Sequence, residues 1–395
     1  MKALVTLSGR FERGRDGQVY PQNPALTYER FFNRYLGAFE EVLVAARVRP
    51  LAREPDCPQP SNGPRVSFVD LPTFSGFGGL AFSIPKIRRR LQPAIKATQA
   101  YFLRVPCLLG TLARKEIRRL RLPYAVEVVG DPADSLQAGS FQHPLRPFMR
   151  WLSIHQLKVQ CAEAIAAAYV SECTLQRRYP PNKQAFTTNY SSIDLPSVWF
   201  TPKPRQFYRP ASRLVFVGTL EVLYKAPDVI LEALKILSER GIFLNLSIVG
   251  DGRCRPQLES RVKELGIGKQ VVFYGKVPYH DIITYLDNGE IFLLPSKQEG
   301  LPKAMIEAMA RGLPCIGSTA GGIPELLPPE DFVPPGDAVA LADKINEVAG
   351  NPERMTHMSG RNLLEAQKYR SDVLRIRRLE FYGYVRETSG KWLKM

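Results

Sequence analysis

Residues 291–318 read IFLLPSKQEGLPKAMIEAMARGLPCIGS, an apolar strand, a loop, a helix and a second apolar strand in direct succession. Pro302 suits the first position of a helix and Gly312 suits the position after its end, so we expect a helix between them. Strands that are apolar throughout and alternate with helices are typical of a parallel sheet covered on both faces. The stretch therefore predicts an α/β fold.

The same alternation continues on both sides of this stretch. Five strand–helix units follow one another between residues 213 and 350, which predicts one doubly wound, Rossmann-like domain. The first half of the chain repeats the rhythm less regularly, with helix-like segments at 26–39 and 146–163. A second domain of the same class is therefore expected there.

A proline-rich stretch at residues 200–210, FTPKPRQFYRP, separates the two halves. A chain of 395 residues is long enough for about two to three domains. We predict two Rossmann-like domains, 1–207 and 208–370, that face each other across a cleft. The remaining residues, 371–395, are predicted to form a C-terminal helix or tail that packs back on the first domain.

Positive charge is concentrated in the first half of the chain. The formal net charge is +16, and residues 1–207 contain 29 Lys and Arg against 15 Asp and Glu. Eleven basic residues and a single acid, Glu116, lie between residues 85 and 121. This asymmetry predicts a polyanionic partner: nucleic acid, an anionic membrane surface or a phosphorylated substrate. Because no nucleic-acid recognition motif accompanies the charge, we disfavour nucleic acid.

Apolar residues lie between these basic residues at roughly helical intervals, at Ile84, Ile87, Leu91 and Ile95. This pattern predicts a segment whose apolar face inserts slightly into the headgroup region of an anionic leaflet, at the cytoplasmic face of a membrane. The alternative is that the apolar residues belong to the protein core and the arginines form a solvated face.

Cysteine and histidine usage argues against a metal site. The six cysteines are scattered without a CxxC pair, which predicts reduced thiols in a cytoplasmic protein. The four histidines have no metal-type spacing, and no Asp-x-Asp occurs in the chain. We therefore predict neither a metal nor a bound cofactor.

Loops that follow strands in the second half are candidate ligand sites, because ligands of open parallel sheets bind at the carboxyl ends of the strands. The first loop contains Gly218 and Thr219 and continues to Lys225, whose ammonium can meet a phosphate. The second is Gly250-Asp251-Gly252, which lacks the third glycine of a dinucleotide fingerprint and does not predict NAD. A solvated lysine and a plain tight turn are the alternative interpretations.

The third loop, at the start of the predicted helix, is typical of an anion site. The backbone N–H groups between Leu301 and Ala304, to which Pro302 contributes none, and the helix dipole fit a diphosphate. Glu299 lies at the mouth of this site, and Glu307 lies about one and a half turns into the helix. Carboxylates repel phosphates, so hydroxyls of a sugar and of a ribose are their better partners. Alternatively, Glu307 forms a surface ion pair with Lys303 or Arg311.

The run EGLPKAMIEAMARGLPCIGSTAGGIPELL at 299–327 is similar to the E-x7-E signature of the retaining GT-B glycosyltransferases of family 4. The family's other motifs occur in the expected order: strand-Gly218 with Lys225, GDG at 250–252, VVFYGKVP at 271–278 and FVPPGD at 332–337. The resemblance covers roughly residues 210–385 and extends weakly into the first half, where it is similar to a polysaccharide-assembly branch.

This resemblance implies transfer of a hexosyl group from a UDP- or GDP-sugar to a saccharide or lipid-linked saccharide acceptor. The first domain would bind the acceptor and the second the donor. Lys225 would contact the diphosphate, Glu307 the ribose hydroxyls and Glu299 the donor sugar hydroxyls. The other donor-binding positions that it implies are Gly218, Thr219, Gly250, Lys276, Val277, Gly300, Leu301 and Pro302.

Two positions depart from the family's pattern. Thr219 stands where the family often has a phosphate-binding arginine. Asp131, after the strand YAVEVV, occupies the region where many members have a histidine that faces the donor sugar. We therefore include Asp131 with Glu299 and Lys225 as a candidate catalytic residue, although an Asp before Pro132 is also typical of a turn.

Two other functions are compatible with parts of the sequence. A nucleotide-sugar epimerase has a similar fold, but it would need acid–base residues in the cleft, and none are evident. A non-enzymatic basic protein that binds RNA or a membrane would not need two glutamates beside an anion site. Transfer by a cytoplasmic enzyme, peripheral on the inner face of the membrane, is the favoured interpretation.

Overall fold

The computed structural model describes residues 1–74, 76–136 and 143–394. By contacts between residues, the chain divides into two compact units. The first unit comprises 1–133, 145–190 and 375–395, and the second comprises 134–144 and 191–374. Among the described residues, no helix is both long and apolar enough to cross a bilayer.

The first unit is built around a mostly parallel sheet. Its strands are β1 Lys2–Arg13, β2 Val19–Pro21, β3 Glu41–Pro50, β4 Val66–Leu71, β5 Ala100–Val105, β6 Ala125–Val128, β7 Ala166–Tyr169 and β8 Phe186–Asn189. The helices in this part of the chain are α1 Gly76–Lys96, α2 Leu108–Arg119, α3 Pro132–Ser135, α4 Arg146–Glu163 and α5 Thr174–Arg178. The strand order is β4-β3-β1-β5-β6-β7-β8, and only β2 is antiparallel, on β1.

The second unit has an entirely parallel sheet of the order β11-β10-β9-β12-β13-β14. Its strands are β9 Arg213–Val217, β10 Asn245–Val249, β11 Val271–Gly275, β12 Ile291–Leu294, β13 Cys315–Ser318 and β14 Phe332–Val333. Its helices are α6 Pro227–Glu239, α7 Arg255–Glu264, α8 Ile282–Asn288, α9 Lys303–Ala310, α10 Ala338–Ala349 and α11 Pro352–Gln367. The last helix of the chain, α12 Ser371–Trp392, belongs from residue 375 onward to the first unit. The two predicted Rossmann-like domains are confirmed.

The division between the units falls at residues 190 and 191 rather than at 207 and 208. The proline-rich segment lies along the second unit because its backbone and side chains bond there. Thr201 N donates to Ala310 O at 3.0 Å, and Arg205 Nε donates to Arg311 O at 2.6 Å. Residues 375–395 belong to the first unit.

The segment 26–39 does not form the predicted α-helix. It contains two short 3₁₀ turns, Pro24–Leu26 and Phe32–Gly37, and Phe32 and Tyr35 are buried between them and the sheet. Three-residue spacing suits a 3₁₀ turn as well as an α-helix, so the apolar pattern alone did not separate the two.

Helix α1 shows that the predicted membrane-inserted stripe is wrong. Ile87, Leu91 and Ile95 are fully buried, and they pack in one core with residues of α2, α4 and the sheet. Ile84 packs against the edge of the same core. The apolar stripe formed by Ile87, Leu91 and Ile95 is thus packed within the first unit, and the exposed positions of α1 include its basic residues and Phe82, which is 83% exposed.

Helix α12 covers the opposite side of the first unit through aromatic and polar contacts. The Tyr382 ring stacks on Tyr35, with 4.7 Å between the ring centroids. The buried Glu127 carboxylate of β6 accepts hydrogen bonds from the hydroxyls of Tyr35 at 2.9 Å and Tyr190 at 2.7 Å, and pairs with Arg104 at 2.7 Å. The C-terminal helix is therefore part of the first unit's core.

We expect Tyr382→Ala to lower the free energy of unfolding by about 3–5 kcal/mol, because it removes a fully buried ring. Tyr382→Phe, the matched control, loses only a 3.3 Å hydrogen bond to Glu127 and should cost about 1 kcal/mol. Urea denaturation followed by circular dichroism measures both. Equal costs for the two variants would show that the ring does not hold α12 on the sheet.

Candidate active site

The candidate site of the second unit lies where its strand order reverses. Strand β9 neighbours β10 on one side and β12 on the other, and such switch points are where ligands bind in open parallel sheets. The loops after β9 and β12 meet there, and Lys297 N donates to Tyr224 O at 2.7 Å. The fold thus brings the first and third predicted loops together.

Lys225 and Glu299 form a largely shielded ion pair between these two loops. Lys225 Nζ lies 2.5 Å from Glu299 Oε1, and the side chains are 12% and 8% exposed. Ser296 Oγ donates to the same carboxylate oxygen at 3.0 Å. Ser318 Oγ at the end of β13 holds the loop by donating to Ser296 O at 2.5 Å. Opposite charges are therefore held at the mouth of α9.

Helix α9 has well-defined ends. It begins at Lys303, directly after Pro302, and ends in a Schellman motif in which Leu313 N donates to Ala308 O at 3.1 Å. Gly312 takes the left-handed conformation that this motif requires, with φ +66°. Gly300 and Leu301, at the N-terminal end of the helix, are half-buried. The predicted anion site is therefore bounded by Glu299 and the first turn of α9.

Glu307 is almost completely buried on α9, at 6% exposure. Burial raises the pKa of its carboxyl to about 7, although the Tyr279 hydrogen bond and the positive charges of Lys303 and Lys225 act in the opposite direction. Tyr279 Oη donates to Glu307 Oε1 at 3.1 Å. A desolvated carboxylate of this kind has strong demand for hydroxyl or amide donors.

The alternative surface ion pair between Glu307 and Arg311 is excluded by the geometry. Arg311 pairs instead with Asp287 at 2.8 Å and donates to Trp199 O at 3.1 Å. The buried position of Glu307 follows from helical spacing, because Ile306, Met309 and Ala310 around it are fully buried.

Two glycines are required where loops approach closely at this site. Gly250 has φ +141°, and a Cβ there would lie 1.8 Å from Gly218 O. Gly321 has φ +54°, and a Cβ there would lie 1.8 Å from Glu299 O. Gly322 N also donates to Gly300 O at 2.7 Å. The backbone of residues 321 and 322 therefore supports the Glu299 loop from behind.

The other predicted donor positions lie at the same sheet edge. Thr219 is exposed in the loop after β9, where Glu221 N donates to its Oγ1 at 3.2 Å. Lys276 is exposed and Val277 half-buried directly after β11. The loop after β10 joins this group because Gly250 N donates to Gly275 O at 2.9 Å.

Four residues of this site were missed by sequence reasoning: Tyr279, Ser296, Gly321 and Gly322. The Gly-Gly pair lies within the quoted 299–327 run, so its two positions could have been named. Tyr279 is 28 residues from Glu307, and no local pattern in the sequence links them.

Asp131 belongs to the first unit and is held by the protein itself. It is 7% exposed, its Oδ1 accepts hydrogen bonds from Tyr179 Oη and, at 2.7 Å, from Ala133 N, and its Oδ2 lies 2.5 Å from Arg178. Both carboxylate oxygens are therefore engaged, and one of them caps the short helix α3. This geometry favours the turn interpretation of Asp131 over the catalytic one.

We expect Asp131→Ala to lower the free energy of unfolding by about 2 kcal/mol, because it removes the carboxylate that accepts from the buried Tyr179 hydroxyl. Donor binding by the folded variant should be unchanged. Thermal denaturation and nucleotide-sugar titration measure the two effects. If the isosteric Asp131→Asn were as stable as the wild type but more than a hundredfold slower in turnover, Asp131 would be catalytic after all.

Comparison with known sequences gives a family match over the part of the chain that contains this site. Residues 199–362 match the family model described as glycosyl transferases group 1. The chain is 28% identical to the protein CapJ of Staphylococcus aureus over 80% of this chain and 79% of that protein. It is 32% identical to the putative colanic acid biosynthesis glycosyltransferase WcaL of Escherichia coli, over 37% of this chain and 38% of that protein.

Solved structures share the fold at low sequence identity. Sucrose-phosphate synthase of Thermosynechococcus elongatus superposes with a TM-score of 0.71 at 17% identity, covering 98% of this chain and all of that one. Anabaena HepE in complex with UDP superposes with a TM-score of 0.66 at 14% identity, covering 96% of this chain and 99% of that one. The sequence matches and the two Rossmann-like units together identify this chain as a glycosyltransferase enzyme with the GT-B fold.

Proposed function

We propose that this enzyme is a retaining glycosyltransferase that moves a hexosyl group from a nucleotide diphosphate sugar to a saccharide or lipid-linked saccharide. The observation that carries this proposal is the convergence of Lys225, Glu299 and the buried Glu307 on the loops of one switch point. The three side chains offer one cation for a diphosphate and two carboxylates for hydroxyls.

The nucleotide end of the donor lies, on this proposal, against Glu307 and the loop after β11. Glu307 is a buried carboxylate of α9, and its described hydrogen bond comes from Tyr279 at 3.1 Å. Two ribose hydroxyls would supply further donors to it. The exposed Lys276 and Val277 would lie beside the base. HepE, whose fold this chain shares, was solved with UDP, and we infer a UDP- or GDP-sugar donor.

The sugar end of the donor lies at Glu299. A carboxylate already paired with Lys225 at 2.5 Å is a weak nucleophile, so we propose that Glu299 orients the sugar hydroxyls rather than attacking the anomeric carbon. The bond between the anomeric carbon and the diphosphate breaks with its electron pair on the diphosphate oxygen. The acceptor hydroxyl oxygen bonds to the same carbon, and its proton passes to the leaving diphosphate. Lys225 and the N-terminal N–H groups of α9 then stabilise the charge that develops there.

Charge and the relatives support a proposal for the acceptor and its location. WcaL is described as a colanic acid biosynthesis enzyme, and we propose a role for this chain in the assembly of a polysaccharide or another glycoconjugate. The first unit would bind the acceptor, since the donor side chains belong to the second. We propose that the enzyme works on the cytoplasmic face of an anionic membrane, where a lipid-linked acceptor would be presented.

The affinity for a nucleotide sugar should depend on pH through Glu307. Its pKa of about 7 lies above its ordinary value of 4.5, so the protonated form prevails below pH 7 and accepts ribose hydroxyls poorly. We expect the affinity to fall about tenfold between pH 8 and pH 5.5. A nucleotide sugar is the appropriate probe, because its diphosphate is esterified at both ends and does not titrate in this range.

Glu307→Gln is the matched variant for this pH profile. It should bind the nucleotide sugar about ten- to a hundredfold more weakly at pH 8 and show no dependence on pH. Without ligand, the stability of the wild type should fall as pH rises from about 4.5 through 7, because ionising a buried carboxyl is costly, and Gln should remove this loss. Isothermal titration calorimetry measures the affinity, and thermal denaturation measures the stability at each pH. Unchanged affinity in the variant would refute the ribose assignment.

Transfer should proceed in EDTA with retention at the anomeric carbon. Lys225 and the N-terminus of α9 would neutralise the diphosphate charge, so chelation of metal ions should reduce the rate less than twofold. Glu299→Gln should reduce the rate by about a hundredfold or more. Proton NMR of the product anomeric centre reads the stereochemistry. A product with the inverted anomeric configuration would contradict retention. Full inhibition by EDTA that Mg²⁺ reverses would contradict metal independence. Formation of an epimerised donor in the absence of acceptor would indicate an epimerase.

A further inference from the structure

Helix α4 has an aromatic stripe on its solvent-facing side. Phe148, Trp151 and Leu152 are 57%, 60% and 38% exposed, and with His155 they follow the i, i+3, i+4, i+7 spacing of one helix face. The Phe148 and Trp151 rings stack with 6.0 Å between centroids, and Trp151 stacks on His155 at 5.7 Å. We call Phe148, Trp151 and Leu152 the α4 face.

Folding of the first unit does not account for the α4 face. The core side of the helix carries Leu157 and Cys161, both fully buried, with Ile154 packed against the same cluster. A surface helix needs one apolar stripe for its core, and α4 has a second one toward solvent. Contiguous exposed apolar surface of this kind marks an interaction site.

Basic residues are exposed on α4 itself and on the two helices that share a core with it. Helices α1, α2 and α4 share one core, and α2 contacts both of the others. The solvent-facing basic residues of the three helices include Lys86, Arg89, Lys96, Lys115 and Lys158. These five make no ion pair with the described residues 1–74, 76–136 and 143–394. Together they form what we call the basic side.

The acids of this side are already neutralised. Glu116 is buried and pairs with Arg88 at 2.8 Å and Arg119 at 3.0 Å. Glu163 pairs with Arg114 at 2.5 Å and with Arg118. Each acid therefore meets two arginines, and the net charge of the side remains positive. Its electrostatic complement is an extended anionic surface.

The α4 face lies near the ligand-binding edge of the first unit's sheet. In a parallel sheet, a helix that connects two neighbouring strands starts at their carboxyl ends. Helix α4 lies between β6 and β7 in the chain, and Phe148, Trp151 and Leu152 are in its first half. A surface docked there would therefore lie beside the edge at which an acceptor binds in such sheets.

We propose that the α4 face inserts into the headgroup region of an anionic lipid bilayer, while the basic side contacts the lipid phosphates. Tryptophan beside long basic side chains is typical of the membrane interface. A second copy of this chain is disfavoured as the occupant, because a symmetric contact would bring two positively charged sides together. The inference rests on the proposed function only for the lipid-linked nature of the acceptor.

Vesicle flotation of the full-length chain tests the insertion. Phe148→Ser/Trp151→Ser should lower the partition into vesicles of equal phosphatidylcholine and phosphatidylglycerol by about tenfold or more. The matched control is Phe243→Ser/Tyr208→Ser, which removes two aromatic side chains that are 70% and 88% exposed on the second unit. This control should partition like the wild type.

A charge pair of variants tests the basic side. Lys86→Glu/Lys115→Glu should lower the partition more than tenfold, since each basic residue near an anionic surface is worth about fivefold. Lys263→Glu/Lys269→Glu, on exposed positions of the second unit, makes the same change in net charge and should have little effect. Pure phosphatidylcholine vesicles should bind the wild type weakly, and added salt should release it.

Equal partition of all four variants, or partition indifferent to lipid charge, would overturn the proposal. So would a dimer that forms without lipid and is lost in Phe148→Ser/Trp151→Ser, because the face would then join two copies. Nucleotide-sugar titration of each variant keeps the two hypotheses apart. A wild type that binds vesicles but no nucleotide sugar would refute the proposed function and leave the lipid surface standing.

Discussion

The ion pair between Lys225 and Glu299 joins the two loops on which the rest of the site depends. Both side chains are largely shielded from water, so removing one partner would leave the other charge without its counter-ion. Because β9 and β12 are neighbours at the switch point, their loops must leave the sheet side by side. Ser296 and the Gly321-Gly322 backbone then set where the Glu299 carboxylate lies.

The two glutamates of the site are only eight residues apart in the sequence, but their environments differ. Glu299 faces an ammonium and a hydroxyl, whereas Glu307 is desolvated among apolar side chains and has its pKa raised to about 7. The first arrangement positions a carboxylate before any ligand arrives. The second leaves Glu307 able to accept further hydrogen bonds, which a ligand would supply. Binding energy is in this way concentrated at a small number of groups.

Local pattern was sufficient to predict the strand–loop–helix units and the E-x7-E helix, because burial of parallel strands and helix capping are encoded within a few residues. It was insufficient where a contact joins distant segments, as with Tyr279 and Glu307 or with Tyr382 and Tyr35. Periodicity also does not distinguish an apolar helix face that contacts lipid from one that packs on the protein core. The stripe of α1 was predicted to contact lipid, and it packs on the protein core.

Counting charges along the chain overstated how much of the first half's positive charge lies at its surface. Arg104 forms an ion pair with the buried Glu127, and the largely buried Arg114 forms one with Glu163. The carboxylates that neutralise these arginines are folding partners. The charge left over includes that of the basic side and that of the exposed Arg90, which donates to the Asp70 carbonyl and not to a carboxylate. Long-range attraction to an anionic surface depends on that remainder rather than on the total. Attraction alone leaves a protein above the headgroups, and only an apolar face such as that of α4 gives the contact a fixed depth and orientation.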